Sequence, residues 1–101
     1  MIEAKDGFGE ELGFNLKDVL KVIARKGVSD ILYSLERSPK RFSELMFDTQ
    51  LNPSILDRHL KVLMQLDIIT KEDGQYRLTE IGDRVVAMIE DLLSLFKEKI
   101  G

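Results

Sequence analysis

Residues 43–66 read SELMFDTQLNPSILDRHLKVLMQL, and residues 67–79 continue as DIITKEDGQYRLT. The first run holds two short helix patterns joined by a tight polar turn, and the second holds a hairpin signal. Asn52-Pro53 marks where the second helix begins. An asparagine side chain caps free backbone amides, and proline suits the first helical position, where its missing amide is not needed. From there Leu56, Leu60 and Leu63 recur on one face of a helix expected over residues 53–66. Asp73-Gly74 fits the two left-handed positions of a two-residue hairpin turn, so segments 68–71 and 75–79 are expected to pair around it. Helix, turn, helix, hairpin is the order on which the fold depends.

Working outward, Ser43 is expected to cap the first helix of the pair, with Leu45 and Met46 inward and the Met46-Phe47 pair adding to the core. Lys40-Arg41-Phe42 reads as short and extended. Ser38-Pro39 ends a helix over about residues 29–37 that buries Ile31, Leu32 and Leu35. Asn15 caps an additional helix, expected to bury Leu16, Val19, Leu20 and Ile23 and to stop near Gly27. Residues 1–14 mix Gly7, Gly9 and Gly13 with acids and read as a flexible acidic arm. Phe8, Leu12 and Phe14 are its docking candidates. Downstream, Thr79 caps a last helix of about 20 residues, roughly 30 Å long. The expected fold is mainly α with a small β-hairpin wing and a long C-terminal helix. It divides into the arm 1–14, a compact unit 15–79, and the helix 80–101, all within one domain.

Composition narrows the chemistry. The chain has 101 residues, 44% hydrophobic and 33% charged, as an ordinary soluble domain does. It has no cysteine, which removes disulfides, thiol switches and thiolate metal sites. One histidine and no glycine-rich phosphate loop leave no hydrolytic triad and no usual zinc site. The reading is therefore not an enzyme, with no metal and no cofactor. His59, beside the leucine stripe, reads as a packing residue. No apolar run approaches the roughly 20 residues that cross a bilayer, and residue 1 onward lacks a signal-peptide pattern. A cytoplasmic protein without a membrane partner is expected.

The net charge is −3, but it is unevenly spread. Residues 1–14 carry all of it, with Lys5 set against Glu3, Asp6, Glu10 and Glu11. Residues 17–41 carry +4, from Lys17, Lys21, Arg25, Lys26, Arg37, Lys40 and Arg41 against Asp18, Asp30 and Glu36. That polarity permits contact with phosphate although the total charge does not advertise it.

On a helical wheel, Ser54, Arg58, Lys61 and Gln65 lie opposite the leucine stripe of residues 53–66, and no carboxylate shares their stripe. These side chains suit base edges in a DNA groove. Arginine bonds guanine N7 and O6 in two places, glutamine suits adenine, and serine or lysine serves base or phosphate. Ile55 on the flank suits a thymine methyl. Lys40, Arg41 and Ser43, just before the first helix, are candidates for phosphate contacts that set register. Lys71 and Arg77 on the wing strands are placed to straddle a phosphate, behind an acidic tip at Glu72-Asp73.

In the last helix, Ile81, Val85, Met88, Leu92 and Leu95 form one apolar stripe. Val86, Ile89, Leu93, Phe96 and Ile100 form a second beside it. Two stripes exceed what one small core needs. One is expected to pack on the chain's first helix and the other to meet a second copy. Val85, Met88, Ile89, Leu92, Leu93, Leu95 and Phe96 are the expected interface of a homodimer, the commonest soluble assembly.

Three segments resemble known regulators. Arg58-His59-Leu60-Lys61-Val62-Leu63 resembles the recognition-helix pattern of the ArsR family. Pro39-Lys40-Arg41-Phe42-Ser43-Glu44-Leu45 is similar to the opening of the motif in HxlR-type proteins. Tyr76-Arg77-Leu78-Thr79-Glu80-Ile81-Gly82 resembles the junction from wing to last helix in HxlR, PadR and MarR types. The resemblance covers about residues 26–84 and implies a winged helix-turn-helix regulator of transcription, mostly dimeric, that binds double-stranded DNA. It implies base and phosphate contacts at Ser54, Ile55, Arg58 and Lys61. Where ArsR metal sensors carry cysteines, this chain has Glu44-Leu45-Met46-Phe47-Asp48, so cysteine-based sensing has no foothold. No small-molecule effector is named by the sequence. The acidic wing tip and net charge keep one alternative open, a winged-helix protein-interaction module without DNA binding.

Overall fold

The computed structural model describes residues 15–100, with side chains for residues 15–98, so the arm 1–14 and the Ile100 side chain lie outside the described residues. The order is α1 (Leu16–Ile23), α2 (Val28–Arg37), α3 (Phe42–Thr49), α4 (Pro53–Gln65), β1 (Ile69–Glu72), β2 (Gln75–Leu78) and α5 (Glu80–Ile100). Helix α2 is the hub, packing against α1, α3, β2 and α5, while α4 packs on α3 and β1. Ile31, Leu32, Leu45, Leu56, Leu60 and Leu63 are fully buried where these elements meet. Each contributes roughly 1.5–3 kcal/mol by leaving water.

Local chemistry explains the start of α4. Asn52 Oδ1 accepts the Ile55 amide at 2.9 Å, and Pro53 opens the helix. Gln50, at φ 60°, turns the chain between α3 and α4. The wing strands pair antiparallel, Ile69 with Leu78 through Glu72 with Gln75. Their turn places Asp73 at φ 53° and Gly74 at φ 76°, as a primed two-residue turn requires. Lys40 adds a third, one-residue edge, exchanging backbone bonds with Tyr76 at 3.0 and 2.7 Å. Thr79 Oγ1 accepts the Gly82 amide at 3.0 Å and donates to the Asp67 carbonyl at 2.6 Å, which sets the angle at which α5 leaves the wing.

Five expectations need correction. Helix α1 ends at Ile23, and Gly27, at φ 91°, stands instead at the N-cap of α2. Helix α1 turns Val22 inward, leaving Leu16 and Leu20 exposed at 62% and 54%. Its apolar residues share one face, but it is the Val22 edge of that face that packs, and period alone does not select the edge. Ser43 lies inside the first turn of α3. The N-cap is Arg41, whose amide donates to the Glu44 carboxylate at 2.7 Å. Phe47 is 78% exposed and no part of the core. Finally, α5 rests mainly on α2 and β2 rather than on α1.

Candidate nucleic-acid interface

With Leu56, Leu60 and Leu63 buried, α4 turns Ser54, Arg58, Lys61 and Gln65 to solvent and leaves Ile55 half-buried on the flank. Arg58 has no ion-pair partner among the described residues. Lys61 Nζ lies 2.9 Å from Asp57 Oδ2 one turn earlier, an exposed pair of the kind worth a few tenths of a kcal/mol and easily exchanged for a phosphate. Arg41 reaches from the start of α3 to the wing turn, where its Nη1 would lie 3.0 Å from a Cβ on Gly74. Ser43 is exposed beside it.

The two wing cations separate. In the strand register, Lys71 is paired with Tyr76, and Arg77 with Thr70 on the opposite face. Lys71 Nζ sits 5.1 Å from the centre of the Tyr76 ring, and Arg77 Nε lies 3.4 Å from Glu72 Oε1. The wing thus presents one cation on each face, both partly engaged.

Lys40 is the clear correction. Its ammonium turns inward with a side-chain exposure of 15%, donating to the Ser34 carbonyl at 2.7 Å and approaching Asp48 Oδ2 at 3.7 Å. There it caps the C-terminal turn of α2, where carbonyls lack helical partners. Ser34 Oγ donates to Asp48 Oδ2 at 2.7 Å, and Arg37 Nη2 lies 3.2 Å from the same oxygen. Asp48 therefore ties α3 to α2. Its carboxyl is held below the ordinary value of 3.8, first by the Ser34 hydroxyl, then by Lys40 and Arg37, against partial burial that pushes it up. A depressed folded-state value means that this stabilisation is present above the unfolded value and lost as the pH falls through the folded one. Urea midpoints should accordingly drop below about pH 4, less steeply for Asp48→Asn. Lys40→Ala should lower the midpoint by about 1–3 kcal/mol equivalent and leave the salt dependence of DNA binding unchanged.

His59, 8% exposed, lies on the inner flank of α4, and its Nε2–H donates to the Lys26 carbonyl at 3.2 Å. Its buried Nδ1 has no hydrogen-bond partner among the described residues. The contact brings Arg25 and Lys26 beside α4, a proximity across 33 residues that no local pattern in the sequence carries. Ser43, Met46, Phe47, Gln50, Leu51 and Asn52 line a shallow depression of about 430 Å³ beside the turn into α4. Among the described residues no group of acids and histidine is arranged to hold a metal, and no helix is long and apolar enough to cross a membrane.

A helix braced by a second helix, a solvent-facing stripe free of carboxylates and a flanking hairpin define a winged helix-turn-helix. Comparison with known proteins agrees. Residues 25–71 match the family described as bacterial regulatory protein, arsR family. Over 87 residues the chain is 32% identical to an uncharacterized HTH-type transcriptional regulator, MJ0361, of Methanocaldococcus jannaschii, covering 77% of this chain and 80% of that one. The chain belongs to the winged helix-turn-helix transcriptional regulators; it is a DNA-binding regulator and not an enzyme. Solved structures share the fold. Quinone-bound YodB from B. subtilis superposes with a TM-score of 0.76 at 23% identity, covering 82% of this chain and 96% of that one. The transcriptional repressor BigR from Xylella fastidiosa gives 0.65 at 19% identity, covering 98% and 96%. Between the two readings left open by the sequence, family membership favours DNA over a module that only binds protein.

Proposed function

We propose that the protein binds a specific double-stranded DNA site as a cytoplasmic homodimer, with α4 in the major groove and the wing strands near the backbone. The observation that carries the reading is Arg58, exposed and without an ion-pair partner among the described residues, at the centre of a stripe with Ser54, Lys61 and Gln65. Ile55 supports apolar contact on the flank. Arg41 and Ser43 support phosphate contact at the start of α3, and Lys71 and Arg77 do so from the wing. Lys40 is left out of that set.

The pairing surface is proposed on α5 beyond its contact with the body. Val86 is buried in the monomer's own core, and Val85 and Ile89 pack partly against it. Past them Met88, Leu92, Leu93, Leu95 and Phe96 are exposed, with Leu95 at 64%. Leaving such a run in water is unfavourable, and a second α5 would cover it. The Leu92→Asp protein should sediment as a monomer at concentrations where the unchanged protein is a dimer. It should also lose affinity for a two-fold site, keep a folded helical monomer, and melt at a temperature that no longer depends on protein concentration.

Selection of bound duplexes from a random pool tests the whole reading. A two-fold related sequence should emerge, with half-sites about 34 Å apart or a multiple of it. A pool that never enriches would defeat sequence-specific recognition.

A further inference from the structure

We propose that the connection between α1 and α2 is a second point of DNA contact, at which Arg25 and Lys26 bind backbone phosphates on the flank of α4 that carries His59. The inference rests on the groove placement of α4 proposed above. Arg25 and Lys26 are exposed and have no ion-pair partner among the described residues. Asp30, the nearest acid along α2, forms no ion pair with them. Other cations near the recognition helix and wing are engaged within the fold: Lys40 with Ser34 and Asp48, Arg37 with Asp48, Lys61 with Asp57 and Arg77 with Glu72. A chain of net charge −3 must draw its phosphate affinity from where its unpaired cations stand rather than from bulk charge, and these two stand beside α4.

The connection is fixed to the recognition helix rather than merely near it. His59 Nε2 holds the Lys26 carbonyl at 3.2 Å. Gly27 is in the left-handed region, and Leu51, just before the α4 cap, fills the space beside it so closely that a Cβ there would meet the leucine methyls at 2.8 Å. Backbone bonds from Arg25 to Val22 at 3.2 Å and from Val28 to Arg25 at 3.1 Å close the turn on either side. His59 lies about 100° round the helix from Arg58. A helix is roughly as wide with its side chains as the major groove that receives it, so the phosphate rims run along its flanks. When Arg58 faces the bases, one rim runs towards this turn. Two adjacent cations on long apolar stems, held there by main-chain contacts, meet a phosphodiester without any need for the fold to rearrange.

The test compares an Arg25→Gln/Lys26→Gln protein with a Lys17→Gln/Lys21→Gln protein, which changes net charge equally on the exposed side of α1. Affinity for the selected site and for a random duplex is measured across salt concentrations. The first variant should weaken both duplexes alike, lower the slope of log affinity against log salt by about two, and keep its base preference. The second should keep the original slope. An unchanged slope in the first variant, or an equal loss in the second, would overturn the assignment while leaving α4 recognition intact. Failure of Arg58→Ala to alter base preference would count against α4 recognition without touching this slope. Absence of any duplex binding by the unchanged protein at low salt would overturn both.

Discussion

Gly82→Ala should be among the most damaging single substitutions in this chain, although helix propensity alone favours it. Alanine is about 1 kcal/mol better than glycine inside a helix. Gly82 lies in the first turn of α5, against the start of the wing, and a Cβ there would overlap the Ile68 carbonyl oxygen and crowd Leu78 Cδ2 at 3.1 Å. That oxygen accepts the Thr79 amide at 3.0 Å, so it cannot move without releasing the junction that aims α5. Relief requires α5 to swing away from β1 and β2 and to loosen the burial of Val86. We expect a loss of about 3 kcal/mol, at the upper end for an overpacked site. In a domain of this size that is a fall in melting temperature of about 15 °C. A variant as stable as the unchanged protein would mean that α5 is not seated on the wing as described.

Arg58→Ala should have the largest effect on DNA binding with almost none on folding. Arg58 is exposed and makes no ion pair among the described residues, so its removal should change stability by less than about 0.5 kcal/mol. If its guanidinium bonds a base edge, affinity for the selected site should fall by about 1–3 kcal/mol, roughly 5- to 150-fold. Preference at one base pair in each half-site should relax. Affinity for random duplex should change far less, which separates a base contact from a phosphate contact. Unchanged affinity and preference would remove α4 from the groove.

Both predictions show where local pattern stops. The wing turn, the start of α4 and the start of α5 were legible because each depends on residues close in the chain: Asp73 with Gly74, Asn52 with Pro53, and Thr79 as a cap. Arg58 and its stripe were legible because a helix with a single leucine face leaves only one way to turn. Lys40 was misread because its partners, Ser34 and Asp48, come from two other helices, and charge type does not tell which way a side chain turns. Helix α1 was misread because period shows which residues share a face but not which edge of it is covered, and only the packing on α2 selects the Val22 edge. The seat of Gly82 could not be anticipated at all, since the atom it would strike lies 14 residues earlier, at the start of the wing.

By itself the sequence determined the kinds of element and their order. The caps, the primed turn and the leucine period are short-range energies that act before any two elements meet. Tertiary structure decided which cations remain free for DNA, which apolar faces stay uncovered, and that His59 and Leu51 join the connection at Lys26 and Gly27 to the recognition helix. Those outcomes depend on distances between segments far apart in the chain, and such distances exist only once the core around α2 has closed.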